Sequence, residues 1–161
     1  MRGRAIITSL AILVAALGGW VLLWPPSGAV FASSDGFDID QGAGLYQENC
    51  AACHGDKLQG QPNWRSMGED GVLPAPPHDE TGHTWHHDDG LLFLYTKLGG
   101  KQTMAQKGVE FNSGMPGFGD QLSDQQIWNI LAYIKSTWPD RQRQVQAARS
   151  EAQSPQKDAN Q

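Results

Sequence analysis

The chain has 161 residues, including 19 glycines, 9 prolines and 2 cysteines, and its 12 basic and 17 acidic residues give a formal charge of −5. With the first 32 residues set aside, about 129 remain, enough for one small domain and not two. The acidic balance offers no basic face for nucleic acid, and the scarcity of strand signals argues for short helices joined by long loops.

The N-terminal segment opens with Arg2 and Arg4 and then runs without charge from Ala5 to Trp24. At about 1.5 Å per helical residue this run reaches roughly the 30 Å of a bilayer core, longer than the apolar centre of a signal peptide. A membrane anchor is therefore predicted. A competing reading comes from the small residues of AVFASS, 29–34, which offer a cleavage site after Ala32, with Pro25 and Pro26 breaking the helix before it. Residues 1–32 are read as a signal peptide or a membrane anchor, with the anchor preferred. By the positive-inside rule both readings place everything after Ala32 on the periplasmic side of an inner membrane. The exported part then holds ten basic against seventeen acidic residues.

A first helix is predicted over Asp40–Asn49, with Asp40 as N-cap and with Gly42 and Tyr46 one turn apart on one face. It leads into LYQENCAACHG, 45–55, which carries both cysteines, Cys50 and Cys53, with His54 directly behind. A four-ligand zinc site would need a second Cys-containing pair, and there is none. A thioredoxin-like dithiol would need a neighbouring strand, and no alternating run supplies one. What remains is an incidental pair of core cysteines or the attachment signature of haem c, Cys-x-x-Cys-His. In that signature two thioether bonds hold the porphyrin and the histidine coordinates iron. Export favours the second. A haem would also supply apolar mass and a covalent staple to a domain that otherwise buries a thin core.

Four of the five histidines follow within ten residues: His78, His83, His86 and His87, among Asp79, Glu80, Asp88 and Asp89. They are the residue types of a surface copper or zinc site. The preferred reading is a solvated loop and helix start, because aspartates favour a first helical turn. Asp88–Leu98 is predicted helical, with Leu91, Leu94, Tyr95 and Leu98 on one face and a left-handed C-cap at Gly99-Gly100. The last strong helix begins at Ser123, spaced from Gln126 as a capping box. It carries Ile127, Ile130, Leu131 and Ile134 on one face and ends at Trp138-Pro139. Gly42 should let this helix cross the first one closely, with Tyr46 beside Ile130 and Tyr133. The polar stretch 139–161 has no apolar stripe, so a mobile tail is expected, helical at most as far as Ala152.

GAGLYQENCAACHG, 42–55, together with SGMPGFGDQLSDQQIWNILAYIKSTW, 113–138, resembles the class I c-type cytochromes of bacteria, and the resemblance covers roughly 37–138. It implies an all-α cytochrome c fold: short helices and long loops round one covalent haem c, here a domain at 33–138 behind an N-terminal hydrophobic helix. It implies thioether bonds at Cys50 and Cys53, His54 as proximal iron ligand and Met115, in the Met-Pro loop, as the second. Met104 and Met67 are the reserves, and a histidine of the 78–87 cluster in place of Met115 is a weaker competitor. The resemblance also implies a proline carbonyl, assigned to Pro76 with Pro74 and Pro77 nearby, that accepts the Nδ1–H of His54. Trp85 is read either as a donor to a haem propionate or as an ordinary core tryptophan. The function implied is single-electron transfer between transient redox protein partners, without enzymatic activity of its own. The alternatives are a haem protein with an open axial site and a metal-handling module built on the histidine cluster.

Overall fold

The computed structural model describes residues 36–153. The predicted anchor or signal segment and the last eight residues lie outside them. Among the described residues there is no strand, and no helix is long and apolar enough to cross a membrane.

Among the described residues six helices follow in chain order: α1 Ile39–Asn49, α2 Ala51–His54, α3 Asp89–Leu98, α4 Gly100–Gln106, α5 Asp124–Ser136 and α6 Asp140–Gln153, with one 3-10 turn at Thr84–His86. Helix α1 begins two residues earlier than Asp40 predicts. Asp38 is the N-cap and accepts from the Gln41 N–H at 2.8 Å. The shift is imposed from α5, because the Asp38 N–H donates to the side-chain oxygen of buried Asn129. Asn129 also donates to Gln41 Oε1 at 2.7 Å, so a polar side chain in the core is fully used as a clasp.

Helices α1 and α5 form the core of the described domain. Gly42 sits at their crossing, and its lack of a side chain lets the backbones meet at Asn129 and Ile130. Tyr46 is fully buried one turn on, its ring 5.5 Å from that of Tyr133. The Ser123–Gln126 capping box is present in both directions at the start of α5. Ile127, Ile130, Leu131 and Ile134 are buried along its inner face, and Trp138 closes the core beyond its end.

Helix α3 departs from its predicted face. Leu92 and Thr96 are its buried residues, while Leu91, Leu94, Tyr95 and Leu98 are half-buried. The run LLFLY places apolar groups all round the helix, so periodicity selects the face poorly. Packing selects it instead: Phe93 stacks on Trp128 of α5 at 4.7 Å, and Thr96 enters the core because its hydroxyl donates to the Leu92 carbonyl. At the C-cap, Gly99 has φ +82 and ψ 160, which is outside the left-handed helical region and open to little but glycine.

Helices α4 and α6 correct two sequence readings. Met104 lies on α4 rather than in a loop. The stretch from Asp140 is helical through Gln153 and carries one fully buried residue, Gln146. Gln146 Nε2 donates to Asp89 Oδ1 at 2.6 Å, Lys135 pairs with the same carboxylate, and the Asp89 N–H donates to Ser150 Oγ. A polar seam, not an apolar stripe, holds α6 against the start of α3.

Candidate haem-binding site

Cys50, Cys53 and His54 come together because α1 stops and α2 restarts at Cys50. The Cys50 N–H still donates to Tyr46 O, and the Cys50 carbonyl accepts from Cys53 and from His54. Gly55, at φ +83, ends α2 after one turn, and its carbonyl accepts the hydroxyl of buried Tyr46. The two cysteines form no disulfide, Cys50 half-buried and Cys53 exposed. Burial, reinforced by the neighbouring Cys53, pushes the Cys50 thiol up to about 11.

His54 is buried, and its Nδ1 lies 2.8 Å from the Pro76 carbonyl oxygen. A carbonyl only accepts, so Nδ1 carries the hydrogen and Nε2 keeps an unshared pair. Burial lowers the pKa of His54, partly opposed by the bond to Pro76, which favours the neutral ring that a metal ligand must be. Pro76 is held by the chain on either side of Gln61. The Gln61 N–H donates to Ala75 O, the Gln61 side chain accepts from the Ala75 N–H, and Gly60 packs against Pro77 where no Cβ would fit.

Met115 is half-buried in a loop pinned to the end of α3. The Thr96 and Lys97 carbonyls, left without helical partners, accept from Phe118 and Gly119 at 3.0 and 2.9 Å. The Met115 carbonyl accepts from Gly100, and its N–H donates to Ser113 Oγ. A Cβ on Gly99 would stand 2.7 Å from Gly117 N, so this glycine serves both the turn and the loop above it. Of the reserve methionines, Met67 is 64% exposed and Met104 is half-buried on α4.

The indole N–H of Trp85 donates to the Glu80 carbonyl at 3.3 Å, and its ring stacks on His86 at 3.6 Å. The other histidines are likewise engaged by rings: His78 lies on His54, and His83 stacks on Trp64 while meeting His87 edge-on. Among the described residues no group of three or more His, Cys, Asp or Glu side chains is placed to hold a metal ion. Asn129, Trp138 and Thr84 are supports that no sequence motif marks. A buried Asn on an otherwise apolar helix face and a Trp directly before Pro139 were the signals available.

The donor set fits a haem attached through two thiols with a neutral imidazole beside them. The family model "Cytochrome c" matches residues 39–138. The chain belongs to the cytochrome c family. Membership brings one covalently bound haem c and the role of an electron carrier. The chain is 32% identical over 102 residues to a thiosulfate dehydrogenase of Stutzerimonas stutzeri (strain A1501), covering 63% of this chain and 28% of that protein. It is also 32% identical over 103 residues to the Cbb3-type cytochrome c oxidase subunit CcoP of Azospirillum sp. (strain B510), covering 63% and 29%. To cytochrome c6 of Synechococcus sp. (strain ATCC 27167 / PCC 6312) it is 28% identical over 133 residues, 81% of this chain and 90% of the relative. The chain thus spans under a third of the first two relatives and most of the third. No solved structure gives a significant match.

Proposed function

We propose that this cytochrome c is an exported monohaem carrier of single electrons, with Cys50 and Cys53 forming the thioether bonds and His54 and Met115 as the axial ligands. The observation that carries the reading is the His54–Pro76 hydrogen bond at 2.8 Å, in a one-turn helix that is capped by Cys50 and contains Cys53. It leaves Nε2 as a neutral donor and strengthens it by drawing on the Nδ1 proton. When bound, the haem supplies the Fe(III)/Fe(II) couple. The protein's part is to hold His54 still, to bring the Met115 loop over from α3, and to exclude water through Tyr46, Trp138 and the inner face of α5. Fixed ligands on both sides lower the reorganisation that accompanies a change of charge, which suits a carrier better than a catalyst. Trp85, whose N–H donates to the Glu80 carbonyl here, keeps both readings, a donor to a haem propionate or an ordinary core tryptophan.

The working compartment is the periplasmic side of the inner membrane, reached through residues 1–32 and retained there if they stay uncut. Partner contact is small, transient and steered by the acidic surface. Relatives named as a dehydrogenase and as an oxidase subunit make respiratory enzymes the natural class of partner. Mass spectrometry of the purified protein, with a haem stain after denaturing electrophoresis, tests the reading. A covalent haem adduct and a stained band are expected, and a colourless band overturns it.

A further inference from the structure

The imidazole of His78 lies flat against that of His54, with ring centroids 4.0 Å apart and planes 22° apart. Four contacts fix it there. The backbone N–H of His78 donates to the Leu58 carbonyl at 2.7 Å, and its backbone carbonyl accepts the Trp138 indole N–H at 2.7 Å. Its Nδ1 is 2.8 Å from Thr84 Oγ1, and the ring of Tyr46 meets it edge-on at 6.2 Å. The Thr84 hydroxyl in turn points to the Pro77 carbonyl, which only accepts. The 2.8 Å contact ties the His78 ring to Thr84 whichever of the two groups supplies the hydrogen.

The hydrogen bond to Pro76 fixes one atom of the His54 ring but leaves rocking about the Nδ1···O direction open. A flat plate against one face removes that freedom: the plate's backbone is fixed by Leu58 and Trp138, and its ring is tethered by Thr84. Any apolar residue could fill the volume, yet only a ring anchored at its own nitrogen prescribes a plane. The geometry points to His78 as a positioning residue for His54: stacked on it and tethered to Thr84, it sets the plane of the imidazole that faces the iron. The inference rests on the reading of His54 as an iron ligand.

In a ferric haem the plane of an axial imidazole governs how unpaired spin spreads over the four ring methyl groups. Proton magnetic resonance of the oxidised holoprotein therefore reads that plane directly. His78→Ala is expected to redistribute the methyl shifts most, and His78→Phe and Thr84→Val, which both keep a flat ring but lose its tether, to redistribute them less. A purely space-filling role would lower the stability of these variants and leave the methyl pattern in place. An unchanged pattern in His78→Ala overturns the inference. If that variant does not fold, Thr84→Val decides in the same way. A parent spectrum with no strongly shifted His54 ring protons overturns the ligand reading itself, which keeps the two failures apart.

Discussion

The backbone of Gly42 lies so close to Asn129 that a Cβ built on residue 42 would stand 2.5 Å from the Asn129 carbonyl carbon, closer still to its oxygen, and 3.1 Å from Ile130 N. The obstacle is helix backbone on both sides, so no side-chain rotation can relieve it. Gly42→Ala is expected to force α1 and α5 apart and to cost about 1 to 3 kcal/mol, toward the upper end. Denaturant unfolding of the holoprotein measures it. A variant as stable as the parent would mean that the crossing is looser than described.

The junction of α6 with α3 rests on Gln146, whose amide donates to Asp89 Oδ1 and, at 2.9 Å, to Ser150 Oγ. Gln146→Ala leaves that seam without its central donor, at a cost of about 0.5 to 1.5 kcal/mol for the lost hydrogen bonds, since Asp89 keeps Lys135 and Ser150 keeps the Asp89 N–H. The loss should fall on α6 alone, since the α1–α5 core and the His54–Pro76 bond lie elsewhere. Trypsin is then expected to cut after Arg141 and Arg143 about tenfold faster in the variant, with the visible spectrum unchanged. Equal cleavage rates would show that α6 is held by something other than Gln146.

Where the sequence was legible, a single interaction type dictated the outcome. The capping box at Ser123 and Gln126, the apolar face of α5 and the close approach at Gly42 each follow from local chemistry that tertiary context reinforces. Helix α6 was opaque because its stabilising group is one buried glutamine whose partners lie 57 and 59 residues earlier. Helix α4 was opaque for a similar reason: Thr103 is buried and bonded to the Leu94 carbonyl, while the sequence shows only two glycines and a polar run. At the candidate site, Cys50, Cys53 and His54 could be read from spacing. The partner of His54 at Pro76 came from resemblance, because nothing local distinguishes Pro76 from Pro74 or Pro77. That His78 would leave the histidine cluster to lie on His54 depends on Thr84, Leu58 and Trp138 together, and no short pattern contains them.

His83 gives the fold a dependence on pH. Its half-buried ring stacks on Trp64 at 5.2 Å, and burial first, then the nearby His87, His86 and Arg65, lowers its pKa from the ordinary 6.5. The folded protein therefore binds that proton more weakly than the unfolded chain does, so protonation favours unfolding. The contribution is complete above about pH 6.5 and is lost as the pH falls below it. His87 is lowered too, by burial first, and acts in the same sense. The denaturation midpoint is expected to drop between pH 7 and pH 5, and to drop less in His83→Phe, which keeps a flat ring for Trp64 but cannot take a proton. Equal slopes in parent and variant would remove His83 from the explanation.

Met115 separates a closed electron carrier from an open-site haem protein. Its loop is tied to α3 through Phe118 and Gly119 and to the start of α4 through its own carbonyl, so the backbone should stay in place when the side chain is cut back. A thioether sulfur is a weak, neutral ligand that favours ferrous iron, and its loss should lower the reduction potential. Met115→Ala should keep its covalent haem, because Cys50, Cys53 and the Pro76-bound His54 are untouched. The side of the iron opposite His54 would then be open to water or an added ligand. On mixing with carbon monoxide, the reduced variant is expected to bind within the mixing experiment and the reduced parent slowly or not at all. Absorbance changes on stopped-flow mixing compare the two. Should the parent bind the gas as fast as the variant, Met115 is not on the iron, and the open-site reading takes the place of the carrier.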